Sequence, residues 1–365
     1  MDQLTLREKI FNKLVNYKIN FYLRFYSVID SFFIKNNHAP KNFNQLLFSY
    51  IAFGEKYIDA LLEFSLPSIL QENNIPLLVK NSYKVIVKIY VKSNSEKEKI
   101  LNHSIYKKLI HFSKVEIIVC LDEKGRFNND LRYFNFTTYF FRENWLFKHY
   151  TLYNSLKFSL DNNTPLFWVS PDDFYSDGSL SNIVELSRSN NEFFIGMHPR
   201  VNWNSALNLI KSKFKADPNY TISSRELVQI GIKNLMSVQK QSIEQNDNLG
   251  VKGLNIKQIN KNTYAVTASR PAPLFGGIIK SDLKFFRKFS HFNYNDYLWP
   301  RKLIKDGRAK FICDSDIFFK IELSEELDYE VQKVTNEEIQ KNPYGGTSRL
   351  LNHKISEVPI FFWKL

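Results

Sequence analysis

The sequence predicts an α/β fold: a central, mainly parallel sheet with helices on both faces. Three observations carry that expectation. Strand-like runs rich in β-branched and aromatic residues alternate with amphipathic segments between residues 46 and 198. The intervening helices run to about 10–17 residues, the length that a crossover between parallel strands requires. Hydrophobic residues make up 44% of the 365, with 32 Phe and 19 Tyr, which is ample material for a large core.

Residues 1–35 read as one helix, because Leu4, Ile10, Phe11, Leu14, Tyr17, Phe21, Phe25, Val28 and Ile29 recur at spacings of three and four. Arg7, Lys9, Lys13, Lys18 and Arg24 are interspersed, so this basic helix either packs on its own domain or lies on a membrane surface or partner chain. "NNHAPKN" (36–42) is a break, which makes 1–42 a helix plus linker. An α/β half over 43–204 follows. It opens with a strand at "LLFSYIAF" (46–53), closed by Gly54, and a helix over 55–72 that Pro67 bends or breaks. "YKVIVKIYV" (83–91) is a strand, 96–112 a helix, and "KVEIIVCL" (114–121) another strand. Residues 125–144 are irregular and 144–160 helical. "TPLFWVS" (164–170) is a strand, 179–189 a helix, and "NEFFIGMH" (191–198) a strand.

The pattern changes in 205–365, read as a C-terminal α+β region of the same unit. A basic amphipathic helix is predicted over 225–241, strand and turn over 253–277, a helix over 281–289 and extended chain over 309–323. The tail from residue 342 reads as irregular, closing on an aromatic cluster. Ligands of such sheets bind beyond the carboxyl ends of the strands. That rule gathers Gly54, Glu55, Ser93, Asp122 and the Asp172–Asp173 pair on one rim.

Several classes of function are disfavoured. There is no GxGxxG, no GxxxxGK[ST] and no GxSxG. The two cysteines, Cys120 and Cys313, sit in apolar runs, as buried thiols in a reducing compartment would, and no Cys/His spacing resembles a zinc site. The absence of a secretory signal and of any long apolar span predicts a cytoplasmic protein, or one peripheral at the inner face of a membrane through its first helix. A net charge of +13 favours anionic partners, although an A·T-rich genome would give the same richness in Lys, Asn, Ile and Phe.

The acidic stretch "PLFWVSPDDFYSDGSL" (165–180) raises the central question. Asp172 and Asp173 repel each other at a strand exit unless a cation sits there. Either this is a polar turn, with Asp177 or Ser179 capping the next helix, or the acids grip Mg²⁺ or Mn²⁺. Strand–helix alternation followed by an acidic pair after an apolar strand resembles the GT-A class of nucleotide-sugar glycosyltransferases. "FWVSPDDFYSDGS" resembles their DxD-type segment, and "FSYIAFGEKYIDALLEFSLPSIL" is similar to the opening strand and helix of bacterial surface-polysaccharide transferases. The resemblance covers roughly 46–200 and, more weakly, "DSDIFF" and "RLLNH". It implies a nucleotide-sugar pocket at the carboxyl rim and a divalent metal on the diphosphate, with Asp173 and the C-terminal His353 as metal ligands and Asp172 toward the ribose. The motif here is D-D rather than strict D-x-D.

Beside this stand other candidates. His198 and Arg200 follow a strand and suit diphosphate or acceptor contacts, or are a satisfied His and a surface Arg. Lys148 lies on the helix leading into the acidic strand, and Arg270 in the stiff loop "ASRPAPLFGG". The expected donor-binding set is therefore Gly54, Glu55, Lys148, Asp172, His198, Arg200 and Arg270. Asp314 and Asp316, two apart on extended chain, are expected on one face, where one could serve as a general base; a salt-bridged pair or turn is the alternative.

The leading expectation is transfer of a sugar from a nucleotide donor to a glycan or lipid-linked acceptor in surface-polysaccharide synthesis. A basic module binding nucleic acid or anionic membrane is the non-enzyme alternative. The dispersed lysines and missing recognition motifs argue against a specific nucleic-acid partner. A metal-dependent sugar phosphotransferase is the third reading.

Overall fold

A computed structural model describes residues 43–121, 143–187, 192–217, 219–244, 249–251, 254–268, 272–289, 295–325, 333–335 and 360–365. The N-terminal helix and linker expected over 1–42, the segment 122–142, Arg270 and His353 lie outside the described residues.

In chain order the first elements are β1 (Gln45–Ile51), α1 (Glu55–Ala60), α2 (Leu66–Ile69), α3 (Ile75–Lys80), β2 (Lys84–Val91), α4 (Asn94–Asn102), α5 (Ser104–Phe112) and β3 (Lys114–Val119). Then come α6 (Glu143–Asn162), β4 (Leu166–Trp168), β5 (Asp173–Tyr175), α7 (Ser179–Leu186), β6 (Phe193–Gly196), β7 (Arg200–Asn202), α8 (Trp203–Ala216), α9 (Ser224–Lys233) and α10 (Ser237–Glu244). The rest are β8 (Leu249–Val251), β9 (Leu254–Asn260), β10 (Thr263–Ala268), β11 (Ala272–Gly276), α11 (Lys280–Phe289), α12 (Asn295–Lys305), β12 (Ala309–Ile312), β13 (Lys320–Ser324), β14 (Lys333–Thr335) and β15 (Ile360–Lys364).

The main sheet has seven strands in the order β12-β6-β11-β4-β1-β2-β3. All pair in parallel except β11, which runs antiparallel to both β4 and β6, so the sheet is mixed. The chain reaches β11 from the β9–β10 hairpin rather than through a crossover helix, and antiparallel entry needs no crossover. Both faces are covered. Phe48, Phe167, Phe275 and Phe194 form a row of rings across four adjacent strands, with centroids 4.3, 4.3 and 6.5 Å apart. Against that face pack Ile58, Leu62, Leu66, Leu78, Ile100, Leu109 and Ile183 from the helices. The opposite face (Leu47, Leu166, Phe193, Ile195) meets Leu152, Leu156 and Leu160 of α6 and Trp299 of α12. β1 shows the cause: Leu46, Phe48 and Tyr50 alternate with Leu47, and each side finds helices.

Differences from expectation have local causes. Pro67 does not break its helix, because a π-turn (Leu61–Ser65) joins α1 to α2 just ahead of it. The widened turn relieves the clash between the proline ring and the carbonyl four residues back. The helix expected over 96–112 is two, divided at His103, whose extended backbone (ψ 140°) ends α4 and whose ring accepts from the N–H of Ile105 to begin α5. The helix expected over 225–241 divides likewise into α9 and α10. The tail ends in a strand rather than irregular chain: β15 pairs with β10 and its Phe362 N–H donates to Cys313 O at 2.6 Å. No described helix is long and apolar enough to cross a membrane.

Two smaller sheets complete the architecture, β14-β8-β9-β10-β15 and β5-β13-β7. Strands from both sides of residue 204 share the three-stranded sheet, where β13 lies between β5 and β7, just as β11 and β12 enter the main sheet.

Candidate functional site: an acidic cluster at the carboxyl rim

The three-stranded sheet grows directly from the rim. β5 begins shortly after β4 ends, and β7 shortly after β6, so both strand exits turn into a second small sheet that β13 zips together. Alternation then sorts the side chains. Phe174, Val201, Ile321 and Leu323 enter a buried core with α8 and α9. Asp173, Tyr175, Arg200, Lys320 and Glu322 take the other face. Register sets Glu322 opposite Asp173 on one side and opposite Arg200 on the other, and Lys320 opposite Tyr175.

Facing carboxylates on neighbouring strands repel, and here each has its own counter-charge. Asp173 is 1% exposed, and its Oδ2 accepts from Lys320 Nζ (2.7 Å), Tyr175 OH (2.9 Å) and the Ser170 N–H (3.0 Å). Glu322 Oε1 lies 3.1 Å from Arg200 Nη2, and its Oε2 lies 2.9 Å from His198 Nε2. Burial pushes the Glu322 carboxyl up, but Arg200, His198 and Lys320 together outweigh it and hold it below the usual range. An ionised Glu322 can only accept, so His198 Nε2 carries the hydrogen. Burial, aided by Lys320, lowers the His198 pKa and keeps the ring neutral. The lone pair of His198 is therefore on Nδ1.

Two ligand atoms in this cluster are buried without a partner: Asp173 Oδ1 and His198 Nδ1. Buried polar atoms left unpaired are costly. One ligand atom each from Asp173, His198 and Glu322 lie within 4.8 Å of one another. Carboxylate oxygen and imidazole nitrogen on one small centre fit a divalent ion, with the imidazole favouring Mn²⁺ over Mg²⁺. Glu322 on the far nitrogen of His198 is the outer partner that metal-bound histidines usually have.

Asp172 is half-buried and accepts from Ser170 Oγ. Burial first, then Glu322 and Asp173, push its carboxyl from the ordinary 3.8 up to about 7. The exit loop is braced from behind: Ser65, in the π-turn, donates to Ser170 O at 3.1 Å and lies 3.3 Å from Tyr50 OH. Asp177 stands apart. It accepts from the backbone and side-chain amides of Asn73 at 2.8 and 2.6 Å, and α7 starts on left-handed Gly178 (φ 83°) without a side-chain cap. Neither Asp177 nor Ser179 serves as the expected cap.

Of the residues singled out in the sequence, Asp172, Asp173, His198 and Arg200 come together here. Others go elsewhere. The Gly54 N–H (φ 79°) donates to Glu96 Oε1 at 2.6 Å, and Glu96 also closes a capping box with Ser93. Glu55 is exposed, 3.8 Å from Lys99. Lys148 lies on α6, and its side chain is outside the described residues.

Asp314 and Asp316 are not on a strand: they occupy the turn after β12, where Asp314 Oδ1 accepts the Asp316 N–H at 2.9 Å. Asp314 pairs with Lys364 at 2.5 Å. Asp316 pairs with Arg225 through both oxygens at 3.2 Å, and with Lys364 at 3.2 Å. Burial would raise Asp316, yet Arg225 and Lys364 hold it below 3.8, which makes it a weak proton acceptor. The salt-bridged turn is what the structure contains.

Three members of the cluster went unmarked in the sequence: Tyr175, Lys320 and Glu322. A signal existed for two of them. In "FFKIELS" (318–324) the charges at 320 and 322 alternate with apolar 319, 321 and 323, so both project from one face of a strand whose other face is buried. Two charges at that period in an apolar strand indicate a polar site rather than open solvent.

No protein-family model matches this chain, and no curated protein matches it.

Proposed function

We propose that this chain is a glycosyltransferase that moves a sugar from a nucleotide-sugar donor to a glycan or lipid-linked acceptor, with the donor diphosphate bound at the acidic cluster. The observation that carries the reading is a buried acid at the carboxyl rim of an α/β sheet whose Oδ1, with the neighbouring His198 Nδ1, has no partner. Acid and imidazole at a strand exit suit a divalent cation that needs further oxygens, and a diphosphate supplies them. The six parallel strands and the acidic segment that follows β4 agree with the GT-A resemblance.

In this reading Asp173 and His198 hold Mn²⁺ or Mg²⁺, Glu322 orients His198, and Arg200 offers a guanidinium shaped for a phosphate oxygen pair. A bound metal would offset the charge that develops on the departing diphosphate. Phosphate transfer at the same cluster is the competing chemistry, separated by its product: a phosphate ester rather than a glycoside.

The test is titration calorimetry of the full chain with UDP and GDP, with and without Mn²⁺. Metal-dependent binding of one of them, reduced at least tenfold in Asp173→Asn, is the expected result. A wild-type protein that binds neither nucleotide under any metal condition ends the proposal.

A further inference from the structure

Lys320 has no place in the metal-binding arrangement as drawn, yet it is 4% exposed and sits 2.7 Å from the carboxylate that anchors it. A buried ammonium is costly unless it is paired, and here it is paired with Asp173 on β5, diagonally across the ladder, two residues from its register partner Tyr175. Its charge also bears on His198 and on Glu322, since it contributes to the shift of each. Asp173, His198 and Glu322 therefore all feel one tethered cation. At the same time Asp173 Oδ1 and His198 Nδ1 remain without partners. Besides the more exposed guanidinium of Arg200, the cluster thus carries one buried ammonium and two ligand atoms without partners.

We propose that Lys320 is a built-in cation that competes with a divalent metal ion for Asp173. It neutralises the acid while no metal is present and weakens metal binding when metal arrives. A like charge beside the ion lowers affinity for the free ion, whereas an anionic ligand that brings its own negative charge offsets that repulsion. The consequence for the function proposed above, on which this purpose rests, is that metal and diphosphate are taken up together rather than metal first.

The probe is Mn²⁺ alone, without nucleotide, on the full chain. Free Mn²⁺ is followed by its electron paramagnetic resonance signal, and thermal melting is followed in parallel. Lys320→Gln keeps a donor for Asp173 Oδ2 but removes the charge, and is expected to bind Mn²⁺ at least tenfold more tightly than wild type. Lys320→Arg keeps the charge and is expected to stay within threefold. Mn²⁺ is expected to raise the melting temperature of Lys320→Gln more than that of wild type, a readout that serves even if the metal-free variant is poorly folded. Adding Asp173→Asn to Lys320→Gln is expected to abolish the gain.

Mn²⁺ affinity in Lys320→Gln equal to or below wild type overturns the proposal. So does a gain that survives Asp173→Asn, or a gain of the same size in Lys320→Arg. Because no nucleotide is present, a chain that shows the tenfold gain but binds neither UDP nor GDP would keep this inference and lose the glycosyltransferase.

Discussion

Asp172–Asp173 and Asp314–Asp316 each follow a strand of the same seven-stranded sheet, β4 in one case and β12 in the other. As sequence they send the same signal, two acids just past an apolar run. The fold treats them differently. The second pair sits in an open turn about one-third exposed, bound to cations from the periphery, Lys364 from β15 and Arg225 from α9. It clasps β15 against the turn, beside the Asp314–Phe362 bridge. The first pair is drawn inward by β5 and β13, and an oxygen of Asp173 remains unmatched. Acid pairs whose partners are complete are fasteners; a buried pair with an unmatched atom is a candidate for binding.

The largest effect expected from this contrast is in Asp173→Ala. It strands the Lys320 ammonium in the interior and should lower unfolding free energy by about 3–5 kcal/mol in urea titration. Lys320→Met added to it should recover a good part of that loss, because no charge is then left unpaired. A loss below about 1 kcal/mol for Asp173→Ala would put the two acid pairs in one class. Next in size is Glu322→Gln, which weakens charge-assisted bonds to His198 and Arg200; about 1.5–3 kcal/mol is expected.

Acidification should then separate the pairs by sign. The Asp172 carboxyl is raised to about 7, so from about pH 4 to pH 7 the folded chain holds a proton that the unfolded chain has lost, and stability falls as pH rises through that window. Asp316 is lowered, so its contribution is present above the ordinary 3.8 and is lost as pH falls through lower values. Asp172→Asn should therefore be more stable than wild type at pH 8, by about 1–2 kcal/mol, with the advantage gone near pH 4. Asp316→Asn should be slightly less stable at pH 8 and level with wild type near pH 2. Melting curves across pH read both. The smallest effect is Arg225→Ala: a melting temperature close to that of wild type, with the difference shrinking further in about 1 M salt.

How much of this could be read beforehand depended on run length and on who supplies the partner. β1, β2 and β3 were legible because runs of six to eight residues, mostly aliphatic and aromatic, leave one interpretation. β5 was not, since Asp-Phe-Tyr inside a polar stretch reads as a turn, and only the distant β13 makes it a strand. The reversal of β11 was hidden for the same reason: direction is set by where the chain comes from, not by its own residues. Asp172, Asp173, His198 and Arg200 were legible because each stands within five residues of the carboxyl end of β4 or β6, where ligands of such sheets gather. Lys320 and Glu322 are the first and third residues of β13 instead. Asp314 and Asp316 misled because spacing of two implies a common face only where the chain is extended, and there it turns.

The middle place of β13 has one further consequence. A polypeptide still emerging from the ribosome will have made Asp172, Asp173, His198 and Arg200 more than a hundred residues before Lys320 and Glu322 exist. Until those last two arrive, the early acids have neither their ammonium nor the strand that brings them to the guanidinium. A prematurely terminated product would carry most of the ligating groups and none of the order, so completion of synthesis is itself a condition for the centre to form.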